Sequence, residues 1–146
     1  MSGWVVDTSA LWRLDLASDS DRWEDLVQRG LVQISSVTLL EVGHSARTAG
    51  EVRTWTMGRP LGLMPRLYLT PPAEDRAVQV QALLADQGQH RAPSVADLLL
   101  AAAAELARLT VLHVDKDFEL IAAVTGQPVE RLTLATYPED ITDQEN

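Results

Sequence analysis

The sequence predicts an α/β fold in which helices cover both faces of a parallel sheet. Short apolar runs such as WVVD (4–7), LVQISSV (31–37) and TVLHV (110–114) alternate with longer stretches of helical periodicity. Alternation of that kind implies crossover connections, and crossovers make neighbouring strands parallel. The bulk numbers agree: 146 residues, 46% hydrophobic and 23% charged, suit one globular domain able to bury a core without staples.

Taken in order, WVVD (4–7) reads as the first strand, followed by helical SALWRLDLA and SDRWEDLVQRG, with Gly30 as the stop. LVQISSV is the second strand, and a helix from Thr38 carries TLLEVGHSARTAGEV. Residues 53–66 hold Gly58, Pro60, Gly62 and Pro65 and predict a broken helical excursion. RLYLT (66–70) is a short third strand before Pro71 and Pro72. AEDRAVQVQALLADQG (73–88) is a helix, as is the apolar segment from Ser94 to about Arg108. TVLHV, KDFELIAAVTG (116–126) and VERLTL (129–134) complete a strand, a helix and a strand. The boundary expected from this pattern is a domain over 1–136 and a frayed acidic tail over 137–146, with four acids and no base.

Composition removes several classes of function. With no cysteine there is no disulfide scaffold and no thiolate metal site, and His44, His90 and His113 lack paired zinc spacing. No signal-like opening is present, and segment 95–114 is too interrupted by charge for a membrane span. A cytoplasmic protein without a membrane role is expected. The net charge of −9 argues against a broadly basic nucleic-acid surface, although residues 42–69 carry Arg47, Arg53, Arg59 and Arg66 against Glu51 alone.

Carboxylates fall at the ends of the predicted strands. Asp7 follows the first strand, Asp115 follows TVLHV with Asp117 two residues on, and Glu41 and Asp97 are placed in the first turns of their helices. Each has an ordinary explanation. TLLE (38–41) and SVAD (94–97) fit a capping box, and Asp115 fits an N-cap. For any one residue alone, capping is the stronger reading. The set changes that balance, because parallel strands bring their C-terminal ends to one edge, where ligands bind. Carboxylates crowded together there cannot all ionise without a counter-charge. An all-oxygen cluster suits a hard divalent ion, which binds phosphate oxygens and activates water.

The ordered motifs VVDTSAL, LLEVG, VADLLLAAAA and VLHVDKDFELIA resemble the PIN domain, and most closely the VapC-type toxins of bacterial toxin–antitoxin pairs. The resemblance spans about residues 4 to 134. It implies a single three-layer α/β/α domain with a central parallel sheet of four or five strands. It also implies a Mg²⁺- or Mn²⁺-dependent endoribonuclease, neutralised by a cognate antitoxin and working as a homodimer. Carried over by motif position, Asp7, Glu41, Asp97 and Asp115 are the catalytic, metal-holding quartet. Asp117 is an auxiliary metal ligand, and Ser9 is an auxiliary hydroxyl near the first acid. Two alternatives are a PIN ribonuclease of RNA processing without an antitoxin and a non-catalytic Mg²⁺-binding receiver-like signalling module. The receiver requires paired acids after the first strand and an acid after the third, and neither is present.

Other residues are discounted. Glu41 and His44 form E-x-x-H, but a di-iron bundle needs a second copy, so His44 is expected to be a partly buried polar residue. His113 is expected to be a satisfied core histidine, Lys116 a solvated surface residue with assistance to the phosphate as its alternative role, and Trp4 and Trp12 core side chains. Trp55, Met57, Leu61, Leu63, Met64 and Tyr68 fit a core lid and a partner surface equally well.

Overall fold

The computed structural model describes residues 3–136; the acidic tail expected over 137–146 lies outside the described residues. Within that range the strands are β1 (Trp4–Val6), β2 (Val32–Ser35), β3 (Arg66–Leu67), β4 (Thr110–His113) and β5 (Val129–Arg131). They form one sheet in the order β3-β2-β1-β4-β5, with every neighbouring pair parallel. The helices are α1 (Thr8–Leu11), α2 (Ser20–Gln28), α3 (Ser36–Ser45), α4 (Ala49–Met57), α5 (Pro71–Ala85), α6 (Val95–Ala107) and α7 (Lys116–Thr125). No described helix is long and apolar enough to cross a membrane.

Capping chemistry explains where the elements depart from the predicted boundaries. The second strand stops at Ser35, whose side chain accepts from the Val37 amide and starts α3 at Ser36 rather than Thr38. The single helix expected through residues 38–52 is two, because Ala46 is extended and Thr48 caps a new helix by accepting from Glu51 N at 3.1 Å. The third strand is cut to two residues. Thr70 is drawn into the N-cap of α5, and the prolines behind it occupy N1 and N2, where a missing N–H costs nothing. At the end of α2, Gly30 takes a φ of +72°, a left-handed turn that glycine adopts without penalty.

Strand residues alternate between two cores. Val5 and Val111 pack with Ala77, Leu84, Leu100, Phe118 and Ile121 beneath α5, α6 and α7. Val6, Ile34 and Leu112 pack with Leu11, Trp23, Val27 and Val42 on the other face. The run Ala101–Ala104 is buried, and small side chains there let α5 lie close against α6. Arg76 clamps the pair, donating through Nε and Nη2 to the two oxygens of Glu105 at 3.0 and 2.9 Å.

Trp4 is partly buried and meets Trp23 edge to face, with ring centroids 5.4 Å apart. Trp12 is a correction: it is 49% exposed and rests edge to face on Trp55, because the short α1 turns that residue outward. The stretch from Trp55 to Tyr68 divides. Leu61 and Met64 enter the core, whereas Met57 and Tyr68 are exposed. His113 is fully buried beside Phe118, but among the described residues neither ring nitrogen has a hydrogen-bond partner, so the expectation of a satisfied histidine is not met there. Burial holds its pKa below the ordinary histidine value.

Trp23 anchors α2 against the sheet and is almost completely buried. Trp23→Ala should destabilise the protein by about 3–5 kcal/mol in urea denaturation, the cost of a large vacated aromatic site.

Candidate active site

β1 and β4 lie side by side, while the connections leaving them run to opposite wings of the sheet. That divergence opens a crevice at the C-terminal edge. Asp7 follows β1 directly, is 5% exposed and caps α1. Its Oδ2 accepts from Ser9 N at 3.1 Å and from Ser9 Oγ at 2.6 Å. Ser9 Oγ in turn accepts from Val114 N at 3.1 Å, so one hydroxyl ties the end of β1 to the end of β4.

Asp115 caps α7, its Oδ1 accepting from Asp117 N at 3.0 Å. Asp97 completes a capping box on α6: its own amide donates to Ser94 Oγ, and its Oδ2 accepts from Ser94 N at 3.3 Å. In all three acids one oxygen is taken by a backbone amide. No hydrogen bond reaches the other oxygen among the described residues. Capping and ligation are therefore compatible: the amide fixes the carboxylate and leaves an oxygen to act.

Asp97, Asp115 and Asp117 each offer an oxygen within 4.8 Å of the others. Asp7 is outside that tightest group, yet its charge is felt by both Asp97 and Glu41. Glu41 is not in the first turn of its helix, because α3 begins five residues earlier at Ser36. It caps nothing. Its Oε1 instead accepts from Thr8 Oγ1 at 3.1 Å across to α1. Thr8 was missed from sequence, although its position next to Asp7 is a usable signal. His44 is exposed in the last turn of α3 rather than partly buried.

The electrostatics ask for positive charge. Burial, then the charges of Asp7 and Asp115, push Asp97 up to about 6 against the opposing hydrogen bonds from Ser94. Shielding of its carboxyl end raises Glu41, the Thr8 bond opposes this, and Asp7 adds to the rise. Asp117 is raised by desolvation and then by Asp115. An all-carboxylate set with free oxygens at this spread fits a hard divalent cation, whose metal–oxygen bonds run about 2.0–2.6 Å.

Comparison with known proteins follows the same lines. The PIN domain family model matches residues 4–124. "Ribonuclease VapC2" of Mycobacterium tuberculosis (strain CDC 1551 / Oshkosh) is 57% identical over 130 residues, covering 89% of this chain and 92% of that protein. DNA-bound VapBC from Salmonella typhimurium is similar in structure, with TM-score 0.70, 21% identity, and coverage of 90% of this chain and 98% of the other. A member of the VapBC family of toxin-antitoxin systems from M. tuberculosis, VapBC-5, has TM-score 0.60 at 26% identity, covering 92% of this chain and 100% of the other. This chain belongs to the PIN-domain family, and within it to the VapC ribonucleases. PIN-domain nucleases use a divalent metal, and the acids at the sheet edge match that requirement.

The raised Asp97 has a consequence for stability. Folded Asp97 holds its proton more tightly than in the unfolded chain, so its contribution is fully present below the model-peptide value of 3.8 and is lost as pH rises through about 6. Buried, neutral His113 works in the opposite direction, so the comparison must be between variants. In chelator, Asp97→Asn should gain thermal stability relative to wild type as pH rises from about 4 to 7. Melting curves across that range are the check.

Proposed function

We propose that this chain is a metal-dependent endoribonuclease acting as the toxin of a toxin–antitoxin pair. The observation that carries the reading is the set of carboxylates at helix starts, Asp7, Asp97 and Asp115, each anchored by a backbone amide with one oxygen left over. The 57% identity to a VapC ribonuclease supplies the substrate class. Asp7, Glu41, Asp97 and Asp115 would hold Mg²⁺ or Mn²⁺, and Asp117 would serve as an auxiliary ligand. When bound, such an ion activates water and stabilises the attacking and leaving oxygens of the phosphodiester.

The remaining residues position and exclude. Ser9 fixes the orientation of Asp7, and Thr8 that of Glu41. Without a cation the acids would repel a phosphodiester, so RNA and metal are expected to bind together. No side-chain nucleophile is required. The histidine nearest in sequence, His113, is buried under α7 and outside the chemistry. Hydrolysis adds the water oxygen to phosphorus and breaks the bond to the leaving ribose oxygen, which takes up a proton while the other water proton passes to solvent.

A protein antitoxin is the partner that solved relatives support. Exposed Trp12, Met57 and Tyr68 give it apolar anchors, and the working species is taken to be a cytoplasmic homodimer.

Purified protein should cut RNA with Mg²⁺ or Mn²⁺ and stop in chelator. Asp7→Asn, Asp97→Asn and Asp115→Asn should each lower the rate on the order of a hundredfold or more. Cleavage that survives chelation contradicts the metal mechanism. In cells, expression should arrest growth, Asp97→Asn should relieve the arrest, and co-expression of an antitoxin encoded beside the gene should do the same. Growth unaffected by the wild-type protein favours an RNA-processing role.

A further inference from the structure

Beside the acids lies a cavity of about 420 Å³ lined by Ser9, Arg13, Val114, Asp115, Lys116 and Arg131. Three of these side chains are cationic and come from separate elements. Arg13 follows α1, Lys116 opens α7 and Arg131 closes β5. Ser9 and Asp115 belong both to this cavity and to the carboxylate site. Lys116 is the chain's single lysine.

We propose that this cavity seats a backbone phosphate of the RNA strand next to the one being cleaved. The inference rests on the ribonuclease reading and deepens it by naming where the substrate is held. A chain of net charge −9 must bind a polyanion against a cluster of its own acids. A metal at those acids offsets their repulsion only for the phosphate it touches. The neighbouring phosphate needs a separate source of positive charge within reach, and this cavity supplies three.

The cations are available. Arg13 and Lys116 form no ion pair among the described residues. Arg13 spends Nη1 on the Ser9 carbonyl at 2.8 Å, which aims the guanidinium and leaves its other donors free. Arg131 meets Glu119 at 3.2 Å, but both side chains are about half exposed, and such pairs are weak. A phosphate can therefore take the Arg131 fork in place of Glu119. The rival location is the locally basic stretch 42–69. There Arg59 lines a different cavity, alongside Asp15 and Glu24 and with no second cation in the lining.

The test is fluorescence binding of a labelled, cleavage-resistant phosphorothioate RNA oligonucleotide at fixed Mn²⁺, across a salt series. Each phosphate contact removed should reduce the slope of log affinity against log salt by about 0.7, so Arg13→Ala/Lys116→Ala, which strips the seat of one phosphate, should lose about 0.7. With Mn²⁺ the same variant should raise KM on the order of tenfold with kcat unchanged, and Arg13→Lys/Lys116→Arg should restore the slope. A stabilisation by Mn²⁺ alone equal to that of wild type shows that the carboxylate site is intact. An unchanged slope and KM in the double alanine variant overturns the proposal, as does a loss of slope in Arg53→Ala in its place. Wild-type protein that cuts no RNA with either metal would instead remove the ribonuclease reading, so the two failures are distinguishable.

Discussion

Carboxylates of like charge cannot share a crevice unless something holds them there, and in this protein backbone amides do so. Asp7, Asp97 and Asp115 each give one oxygen to the start of a helix. The helix gains a partner for an otherwise unpaired N–H, and the acid loses the freedom to swing away from its neighbours. The free oxygens then face a common need for a cation. Asp97 is pushed up to about 6 by its burial first and by the charges of Asp7 and Asp115 second. Holding charge there costs folding stability, the pattern expected of the metal site proposed above.

The sheet makes the gathering possible. With β1 central and β4 beside it, residues more than a hundred positions apart end at the same edge. Two apolar layers keep that edge rigid. Val5 and Val6 anchor opposite cores from adjacent positions, and the Arg76–Glu105 clamp fixes the helix that carries Asp97. The hydroxyl of Ser9 adds a direct tie across the crevice. Packing, topology and hydrogen bonding thus converge on one notch.

Much of this is legible in the sequence, for identifiable reasons. Runs such as WVVD and TVLHV carry a strand signal that neighbours do not override, and Pro71–Pro72 and Gly126 mark helix ends by backbone chemistry alone. Boundaries set by side-chain competition are harder to read. Ser35 took the cap that sequence gives to Thr38, which moved Glu41 into the second turn and left it bonded to Thr8 rather than to its own helix. Trp12 reads as core by composition, yet a four-residue helix turns it outward. Acids at strand ends can be listed from sequence. Which of them approach within 4.8 Å depends on tertiary geometry, and here Asp117 stands in the tightest group while Asp7 does not. The basic cavity has no local signature, because Arg13, Lys116 and Arg131 meet only once α1, α7 and β5 are assembled.

The central claim is that these fixed carboxylates seat a divalent cation, and anomalous diffraction at the manganese edge from crystals soaked in Mn²⁺ tests it most directly. A peak among the free oxygens of Asp7, Asp97 and Asp115, absent from Asp97→Asn crystals, is the predicted result. Manganese bound elsewhere on the chain, with the crevice empty at saturating concentration, would contradict it.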